Sequence, residues 1–276
     1  HPHDRLLHFA STFTETHLMD YELLDQESSL ILCALEAAST LEKQQELVRL
    51  TCAFVPFLLL RGNYALAQRY LLGTQQAALA LKNSEGLVTA YLYLGDLAGK
   101  QGDYTQSQDF LEKGLDLARQ IGNAEPISAL LSLLGRSLWK QGNYPQAATF
   151  LQEGLLLARQ IGQTQRMSEL LATLGAVAAS MGNYIQSEIY LEEGLQLARQ
   201  TEDRKQLCTL LMNLGATITE LGRYEQAYAY FEEGLSIARQ IGYREWMSAL
   251  LCNLGAVATL QGNYVQAEMY QREGLS

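Results

Sequence analysis

The feature of the sequence that most constrains its fold is a 40-residue unit that recurs without insertion or deletion. A tripeptide of glycine, a polar residue and tyrosine marks each copy, at residues 62–64, 102–104, 142–144, 182–184, 222–224 and 262–264. A fixed period of this size is typical of a solenoid, in which each unit buries its apolar face only against its neighbours. The chain is therefore expected to fold as a linear array of these units.

Each unit predicts two helices joined by tight turns. Apolar residues recur at helical spacing over residues 184–200, and again over residues 204–220. Asn183 is the predicted N-cap of one of these helices, and Gln186 completes a capping box. The same pair of positions holds Asp103 with Gln106, Asn143 with Gln146, and Asn263 with Gln266. The predicted left-handed caps that end helices are Gly122, Gly162 and Gly242.

Two sets of glycines lie inside the predicted helices. The glycines that follow a leucine include Gly175, Gly215 and Gly255, and those within Glu-Gly-Leu include Gly154, Gly194 and Gly234. A glycine inside a helix costs about 1 kcal/mol relative to alanine. Close approach between helices, which a Cβ atom would block, is the predicted compensation. These glycines are interpreted as packing features and not as a site.

Composition excludes several classes of partner. The net charge is −10, with 20 basic and 30 acidic residues, so no phosphate-binding surface and no nucleic-acid partner are expected. The apolar runs are too short to cross a membrane, and no secretory signal opens the sequence. Cys208 and Cys252 lie in apolar helical stretches and are predicted to be buried in a reducing compartment. A cytoplasmic location is therefore expected.

A search for catalytic patterns finds none that fits an enzyme. The sequence lacks a phosphate-binding GxxxxGK[ST] loop, an HExxH helix and a GxSxG elbow. The four histidines precede the repeats and are interpreted as structural or as part of a solvated tail: His1, His3, His8 and His17. The paired carboxylates Glu192–Glu193 and Glu232–Glu233 fall on the polar stripe of a helix. We predict no enzymatic activity, no cofactor and no metal site.

The repeat also resembles a known family. The order Leu-Gly, seven residues, Gly-x-Tyr and then Ala147, Ala227 or Ala267 resembles the tetratricopeptide repeat over residues 44–276. The period of 40 is longer than the usual length of about 34, and glycine replaces an alanine late in the second helix. The usual closing proline is also absent. The resemblance implies an all-α fold, a right-handed α-solenoid of antiparallel helix pairs whose first helices line a concave groove.

Residues 1–43 precede the clear repeats and form a predicted N-terminal helical segment, with helices over 5–19 and 22–40. Glu27, Ile31, Ala34 with Leu35, and Arg61 with Gly62 resemble the start of the sensor array in STAND-type (NB-ARC) signalling ATPases. The resemblance implies a nucleotide-binding domain outside this sequence. We therefore expect a fragment of a larger protein, with a tetratricopeptide array over 44–276 whose last repeat is truncated.

The resemblance also places a ligand-binding groove. The groove positions it implies are Tyr93, Asp96, Lys100, Arg136, Trp139, Lys140, Thr173, Ala176, Asn213, Ala216, Thr219, Asn253, Ala256 and Thr259. Asn213 and Asn253 would bond the backbone of an extended peptide, and Trp139 would anchor an apolar side chain. The alternative is that both asparagines bond within the array and that Trp139 packs between repeats. The set of residues that clamps a peptide carboxylate in some family members is not reproduced.

Two functions remain open from the sequence. In the first, the array senses an effector, which is a protein, a peptide or a small molecule, and holds an attached ATPase inactive until the effector binds. In the second, the chain is a stand-alone adaptor that assembles partner proteins. Neither reading involves a membrane.

Overall fold

The computed structural model describes residues 2–18 and 20–274, which contain only α-helices and the turns between them. The helices are α1 (Pro2–Thr16), α2 (Tyr21–Thr40), α3 (Gln44–Leu60), α4 (Tyr64–Leu81), α5 (Ser84–Lys100), α6 (Tyr104–Ile121), α7 (Ala124–Lys140), α8 (Tyr144–Gln160), α9 (Thr164–Ser180), α10 (Tyr184–Thr201), α11 (Arg204–Glu220), α12 (Tyr224–Ile241), α13 (Arg244–Leu260) and α14 (Tyr264–Gly274). The prediction of an all-α solenoid of antiparallel helix pairs is confirmed.

In each 40-residue unit, the helix before Gly-x-Tyr is called the first helix and the helix after it the second helix. The first helices from α5 onward are α5, α7, α9, α11 and α13. The chain divides into two compact units, and the division between Ser137 and Leu138 falls inside α7. His1, Met19, Leu275 and Ser276 lie outside the described residues.

The first unit packs its helices in chain order. Helices α1, α2 and α3 pack on one another, and α3 also packs on α4 and α5. The fully buried side chains here include Leu35, Phe54 and Leu58. The N-terminal helices therefore share one core with the first helix pair of the array.

In the second unit the first helices also pack side by side. Helix α11 contacts α9 and α13, while α10 and α12 pack against the first helices on either side of them. Leu191, Leu211 and Phe231 are among the side chains that fill this core, with exposures of 0%, 0% and 1%. This arrangement aligns equivalent positions of α9, α11 and α13 across neighbouring repeats.

The Gly-x-Tyr turn reverses the chain by placing glycine in the left-handed region. Gly182 has φ of +75°, and the following Asn183 N–H donates to the carbonyl oxygen of Ala178 at 2.9 Å. The predicted left-handed caps Gly122, Gly162 and Gly242 are confirmed, with φ of +79°, +69° and +68°. A side chain with a Cβ atom is disfavoured at such φ values.

The predicted N-caps are confirmed at three of four positions. The side chains of Asp103, Asn183 and Asn263 accept the N–H of the residue three positions later, at 3.0, 3.4 and 3.4 Å. The prediction is wrong at Asn143, which makes no such bond. Its side-chain nitrogen donates to Gln146 Oε1 at 2.7 Å, a bond that Asn263 makes to Gln266 as well.

The interior glycines permit close helix contacts in most repeats. A Cβ atom on Gly175 would lie 2.5 Å from Leu191 Cγ, and one on Gly215 would lie 2.6 Å from Phe231 Cε1. A Cβ atom on Gly194 would lie 2.9 Å from Leu210 Cδ2. At Gly255 the nearest atoms are 3.5 Å away, an ordinary contact, so the predicted close approach is wrong there.

The two repeat cysteines differ in burial. Cys208 is buried as predicted, and burial raises the pKa of its thiol to about 11. Cys252 is exposed, so its predicted burial is wrong. The equivalent residues Ala172 and Met212 are buried and half-buried between first helices. No first helix follows α13 among residues 2–18 and 20–274, which leaves Cys252 uncovered.

Candidate functional site

The solvent-facing side of the first helices in the second unit carries the predicted groove residues. On α11 this side holds Asn213, Ala216 and Glu220, and on α13 it holds Asn253 and Ala256. Asn213 and Asn253 are half-buried, whereas Ala216 and Ala256 are exposed. Because α11 packs beside α13, the two asparagines occupy equivalent places on adjacent helices. We call Asn213 and Asn253 the amide row.

The side chains of the amide row have no partner among residues 2–18 and 20–274. Over the described residues, neither Asn213 nor Asn253 makes a side-chain hydrogen bond. The neighbouring hydroxyls are engaged, since Thr219 donates to the Gly215 carbonyl and Thr259 to the Gly255 carbonyl, each at 2.8 Å. Each asparagine therefore keeps a donor and an acceptor available to a ligand.

The equivalent residue of α9 is arranged differently. The Thr173 hydroxyl donates to the backbone carbonyl of Glu169 at 3.1 Å, so it is directed to its own helix. Glu169 in turn forms an ion pair with Arg166 at 2.6 Å. Thr173 therefore lies in the predicted row but offers a ligand only the free lone pairs of its oxygen.

In the first unit, three predicted groove residues form a compact ion triad. Asp96 on α5 accepts from Arg136 on α7 at 2.5 Å and from Lys100, one turn further along α5, at 2.7 Å. The Asp96 side chain is only 14% exposed, whereas the two cations are 45% and 41% exposed. The structure thus brings Asp96, Lys100 and Arg136 together, and the single carboxylate leaves one positive charge in excess. Tyr93, one turn before Asp96, is half-buried against the core of this unit.

Trp139 is held by contacts within the second unit. Its indole Nε1–H donates to Ser180 Oγ at 2.9 Å, and Lys140 Nζ lies 4.2 Å from the ring centroid. The ring is half-buried and packs against the cluster that contains Leu151 and Leu174. Since its one polar atom is already bonded to the next repeat, this geometry favours the alternative in which Trp139 packs between repeats.

The second member of each carboxylate pair, Glu193 or Glu233, belongs to a ladder of ion pairs between second helices. Arg159 pairs with Glu193 at 2.5 Å and Arg199 with Glu233 at 2.8 Å, and Arg239 pairs with Glu273. Each pair joins one second helix to the next and spans 34 residues of sequence. The polar-stripe interpretation missed these contacts, although the recurring spacing was present in the sequence.

A cluster of hydroxyls joins α12 to α14 and was not predicted either. Tyr270 donates to Glu232 Oε1 at 2.9 Å and lies within hydrogen-bond distance of the Tyr228 hydroxyl, while Gln266 donates to Tyr228 at 3.0 Å. Burial, followed by the bond to Tyr228, raises the pKa of the Tyr270 phenol. Equivalent second-helix positions hold Tyr190 and Tyr230, so the sequence shows that tyrosine recurs at this position. It does not show which hydrogen bonds the tyrosine makes.

The described residues contain no group of three or more His, Cys, Asp and Glu side chains that could hold a metal ion. None of their helices is long and apolar enough to span a membrane.

Solved structures with the same fold include proteins of several kinds. RapI in its apo form has a TM-score of 0.77 at 14% identity, covering 98% of this chain and 96% of that one. A Rap protein complexed with competence and sporulation factor has a TM-score of 0.75 at 12% identity, covering 99% and 85%. A STAND protein with a tetratricopeptide repeat sensor, PH0952 from Pyrococcus horikoshii, has a TM-score of 0.74 at 16% identity, covering 97% and 40%. These identities establish similarity of fold alone.

Family models match most of the repeat region. A model described as Tetratricopeptide repeat matches residues 126–200 and 206–276, which together exceed half of the chain. A second model with the same description matches residues 88–121. A search of curated proteins returns no match. With its helix pairs, Gly-x-Tyr turns and stacked first helices, the chain belongs to the tetratricopeptide repeat family.

Proposed function

We propose that the chain is a non-enzymatic sensing array that binds an extended peptide effector along the amide row of α11 and α13. The observation that supports this most directly is the pair of unpartnered, half-buried amides at Asn213 and Asn253. Their amide atoms still reach solvent, so a ligand can replace bound water there without breaking a hydrogen bond within the described part of the chain. Two such amides in equivalent places favour a repetitive ligand.

An extended peptide backbone fits this row chemically. Each asparagine offers one acceptor oxygen and an NH₂ donor, which match the N–H and C=O groups of a peptide bond. The exposed neighbours Ala216 and Ala256 carry only a methyl group, so a backbone can approach the helices closely. Side chains of the peptide would then set specificity through contacts elsewhere on the first helices.

The finer proposal is that effector binding regulates an attached nucleotide-binding domain. Two observations support it: the STAND-like pattern that ends in Arg61–Gly62, and the fold similarity to the repeat sensor of PH0952. This chain spans 40% of PH0952, so the remainder of that protein lies outside the match. Regulation would follow from a shift between inactive and active populations, because the effector binds only one of them well.

A stand-alone adaptor is the second candidate. The fold similarity to RapI runs along 96% of that protein's own length, so an array of this size can make up nearly a whole protein. In this case the amide row would bind partner peptides without controlling an ATPase.

The binding site is tested with peptides selected from a random library on the whole chain. Asn213→Ala and Asn253→Ala should each weaken binding of the selected peptides by about 1 kcal/mol, roughly fivefold, when measured by calorimetry. Gln196→Ala is the matched control, because it removes an exposed side-chain amide from α10. Affinities of both asparagine variants within about twofold of wild type would contradict the proposed site.

The two functions are separated with the natural protein in its full length. If it senses effectors, a selected peptide should raise its rate of ATP hydrolysis, and the Asn213→Ala variant should need more peptide for the same rise. A full-length protein that binds the peptide but hydrolyses no nucleotide would instead be an adaptor.

A further inference from the structure

One second helix presents a strip of apolar side chains to solvent. Met181, Ile185 and Ile189 follow one another at intervals of four residues, from the turn before α10 through its first two turns. They are 53%, 59% and 52% exposed. Ile185 and Ile189 are four residues apart and lie on the same face of α10, and Met181 is exposed in the turn that leads into this helix. We call these residues the α10 strip.

Equivalent positions of the other repeats do not carry all three apolar residues, although the last repeat has exposed Val265 and Met269. They hold Arg61, Ala65 and Arg69; Gln101, Thr105 and Asp109; Gln141, Pro145 and Thr149; Leu221, Glu225 and Ala229; and Gln261, Val265 and Met269. The backbone of these repeats is alike, and only the side chains differ. Since the repeats that begin at residues 101 and 141 pack without large apolar side chains at these positions, core formation does not explain the α10 strip.

The strip lies opposite the face with which α10 packs into the core. The core face consists of Leu191, Leu195 and Ala198, which are at most 4% exposed. Single exposed apolar residues are ordinary on protein surfaces. Two isoleucines on one helix face, with a methionine in the adjoining turn and each more than half exposed, form the kind of ridge that a second helix packs against.

Carboxylates surround the α10 strip. Glu188 pairs with Arg223 at 2.5 Å, so the residue before α12 lies beside this part of α10, and Glu225 follows it by two residues. Glu192 follows Ile189 by three residues and lies close enough to help raise the pKa of Arg223, after the larger effect of Glu188. Neither Glu192 nor Glu225 forms an ion pair within the described residues. The border of the strip therefore has an excess of negative charge.

We propose that the α10 strip is a docking surface for a cationic amphipathic helix of a partner protein. Apolar side chains of that helix, spaced by four residues, would cover Met181, Ile185 and Ile189. Its Lys or Arg side chains would face Glu192 and Glu225. The net charge of −10 disfavours a second copy of this chain as the occupant, because two acidic surfaces would repel each other. Val265 and Met269 on α14 are also exposed, but the residue equivalent to Met181 before that helix is Gln261, so the proposal concerns α10 alone.

The probe is a synthetic helical peptide with leucines at three positions spaced by four residues and lysines on both flanks. Binding to the whole chain is measured by fluorescence anisotropy at low and high salt. Two control peptides have the leucines scrambled or every lysine replaced by glutamate. We expect the lysine peptide to bind at least about tenfold more tightly than either control, and to lose affinity at high salt.

The matched variant combines Met181→Gln, Ile185→Thr and Ile189→Asp, which copies the residues of the 101–109 repeat into α10. These positions are exposed, so helicity and unfolding should be unchanged. Binding of the lysine peptide should fall at least about tenfold. The reverse exchange, Gln141→Met with Pro145→Ile and Thr149→Ile, should create a second site on α8.

Equal binding to wild type and to the matched variant would overturn the proposal, and so would equal binding of the lysine and glutamate peptides. Self-association of wild type that the matched variant abolishes, measured by ultracentrifugation, would also overturn it in favour of a second copy. Asn213→Ala should leave binding of the lysine peptide unchanged, so the outcome is independent of the proposed groove.

Discussion

The ion triad of the first unit and the amide row of the second occupy equivalent faces of the first helices but differ in chemistry. In the triad, Asp96 holds Arg136 and Lys100 at 2.5 and 2.7 Å, so these charged groups are already paired. In the amide row, Asn213 and Asn253 are neutral, and their side chains have no hydrogen-bond partner in the part of the chain that the structure describes. The same repeat architecture thus supports a paired charged cluster in one region and a neutral surface in another, so the side chains and not the fold set the chemistry of this face.

The largest predicted effect is the loss of stability when a core leucine is truncated, and it tests whether the repeats in both regions are packed in the same way. Leu111 and Leu191 are 0% exposed and fill equivalent places beside the interior glycines Gly95 and Gly175. Leu111→Ala and Leu191→Ala should each lower the free energy of unfolding by about 2–5 kcal/mol, measured by chemical denaturation, because each leaves a cavity.

Leu156→Ala is the control for this pair, since Leu156 is 58% exposed, and its effect should stay within about 0.5 kcal/mol. If one core substitution lowered the free energy of unfolding strongly and the other hardly at all, the repeats of the two regions would not be packed in the same way.

The intermediate effect concerns the ion triad itself. Asp96→Ala should lower the free energy of unfolding by about 1 kcal/mol, because it leaves Arg136 and Lys100 without their carboxylate. The difference from wild type should shrink in high salt, which screens these charges. Asp109→Ala breaks a more exposed pair with Lys113 and should cost less. If Asp96→Ala were neutral at low salt, the triad would not be a stabilising cluster.

The smallest predicted effect is the stability change when a buried cysteine is replaced by the serine that other repeats have at the equivalent position. Ser168 and Ser248 donate to the carbonyls of Gly194 and Gly274 at 3.0 Å, and the Cys208 thiol lies 3.6 Å from the Gly234 carbonyl in the same place. Cys208→Ser should therefore change stability by less than about 1 kcal/mol at pH 7.

The pH dependence of this position follows from its thiol. Because burial raises the pKa of Cys208 from 9.0 to about 11, the folded state keeps the proton longer than the unfolded state. The unfolding free energy of wild type should thus fall relative to Cys208→Ser as the pH rises from 9 to 11. Denaturation at pH 8 and pH 10.5 measures this, and parallel curves for the two proteins would contradict it.

Much of the fold was predictable because the repeat is regular. The constant period located every Gly-x-Tyr turn, and the spacing of apolar residues placed α11 at the residues observed. The failures have a common physical origin. Burial of Cys252 and close approach at Gly255 were inferred from earlier repeats, but both depend on neighbours that differ at the last repeat. Equivalent sequence positions do not guarantee equivalent surroundings.

The candidate site was less predictable than the fold. Its positions came from the family resemblance, but the sequence could not tell whether a polar side chain would be paired. Arg136 and Asp96 lie 40 residues apart, and Trp139 and Ser180 lie 41 apart, so each contact joins neighbouring repeats. Whether such a side chain finds a partner depends on how the first helices pack, which pairs Arg136 with Asp96 and gives Asn213 no hydrogen bond among the described residues.

The most direct test of the account observes the amide row itself. The side-chain NH₂ resonances of Asn213 and Asn253 can be assigned by single substitutions and followed by NMR while a library-selected peptide is added to the whole chain. We predict that both resonances shift as the peptide binds, while those of Gln196 on α10 remain in place. Saturation with peptide that leaves the Asn213 and Asn253 resonances unmoved would contradict the proposed groove.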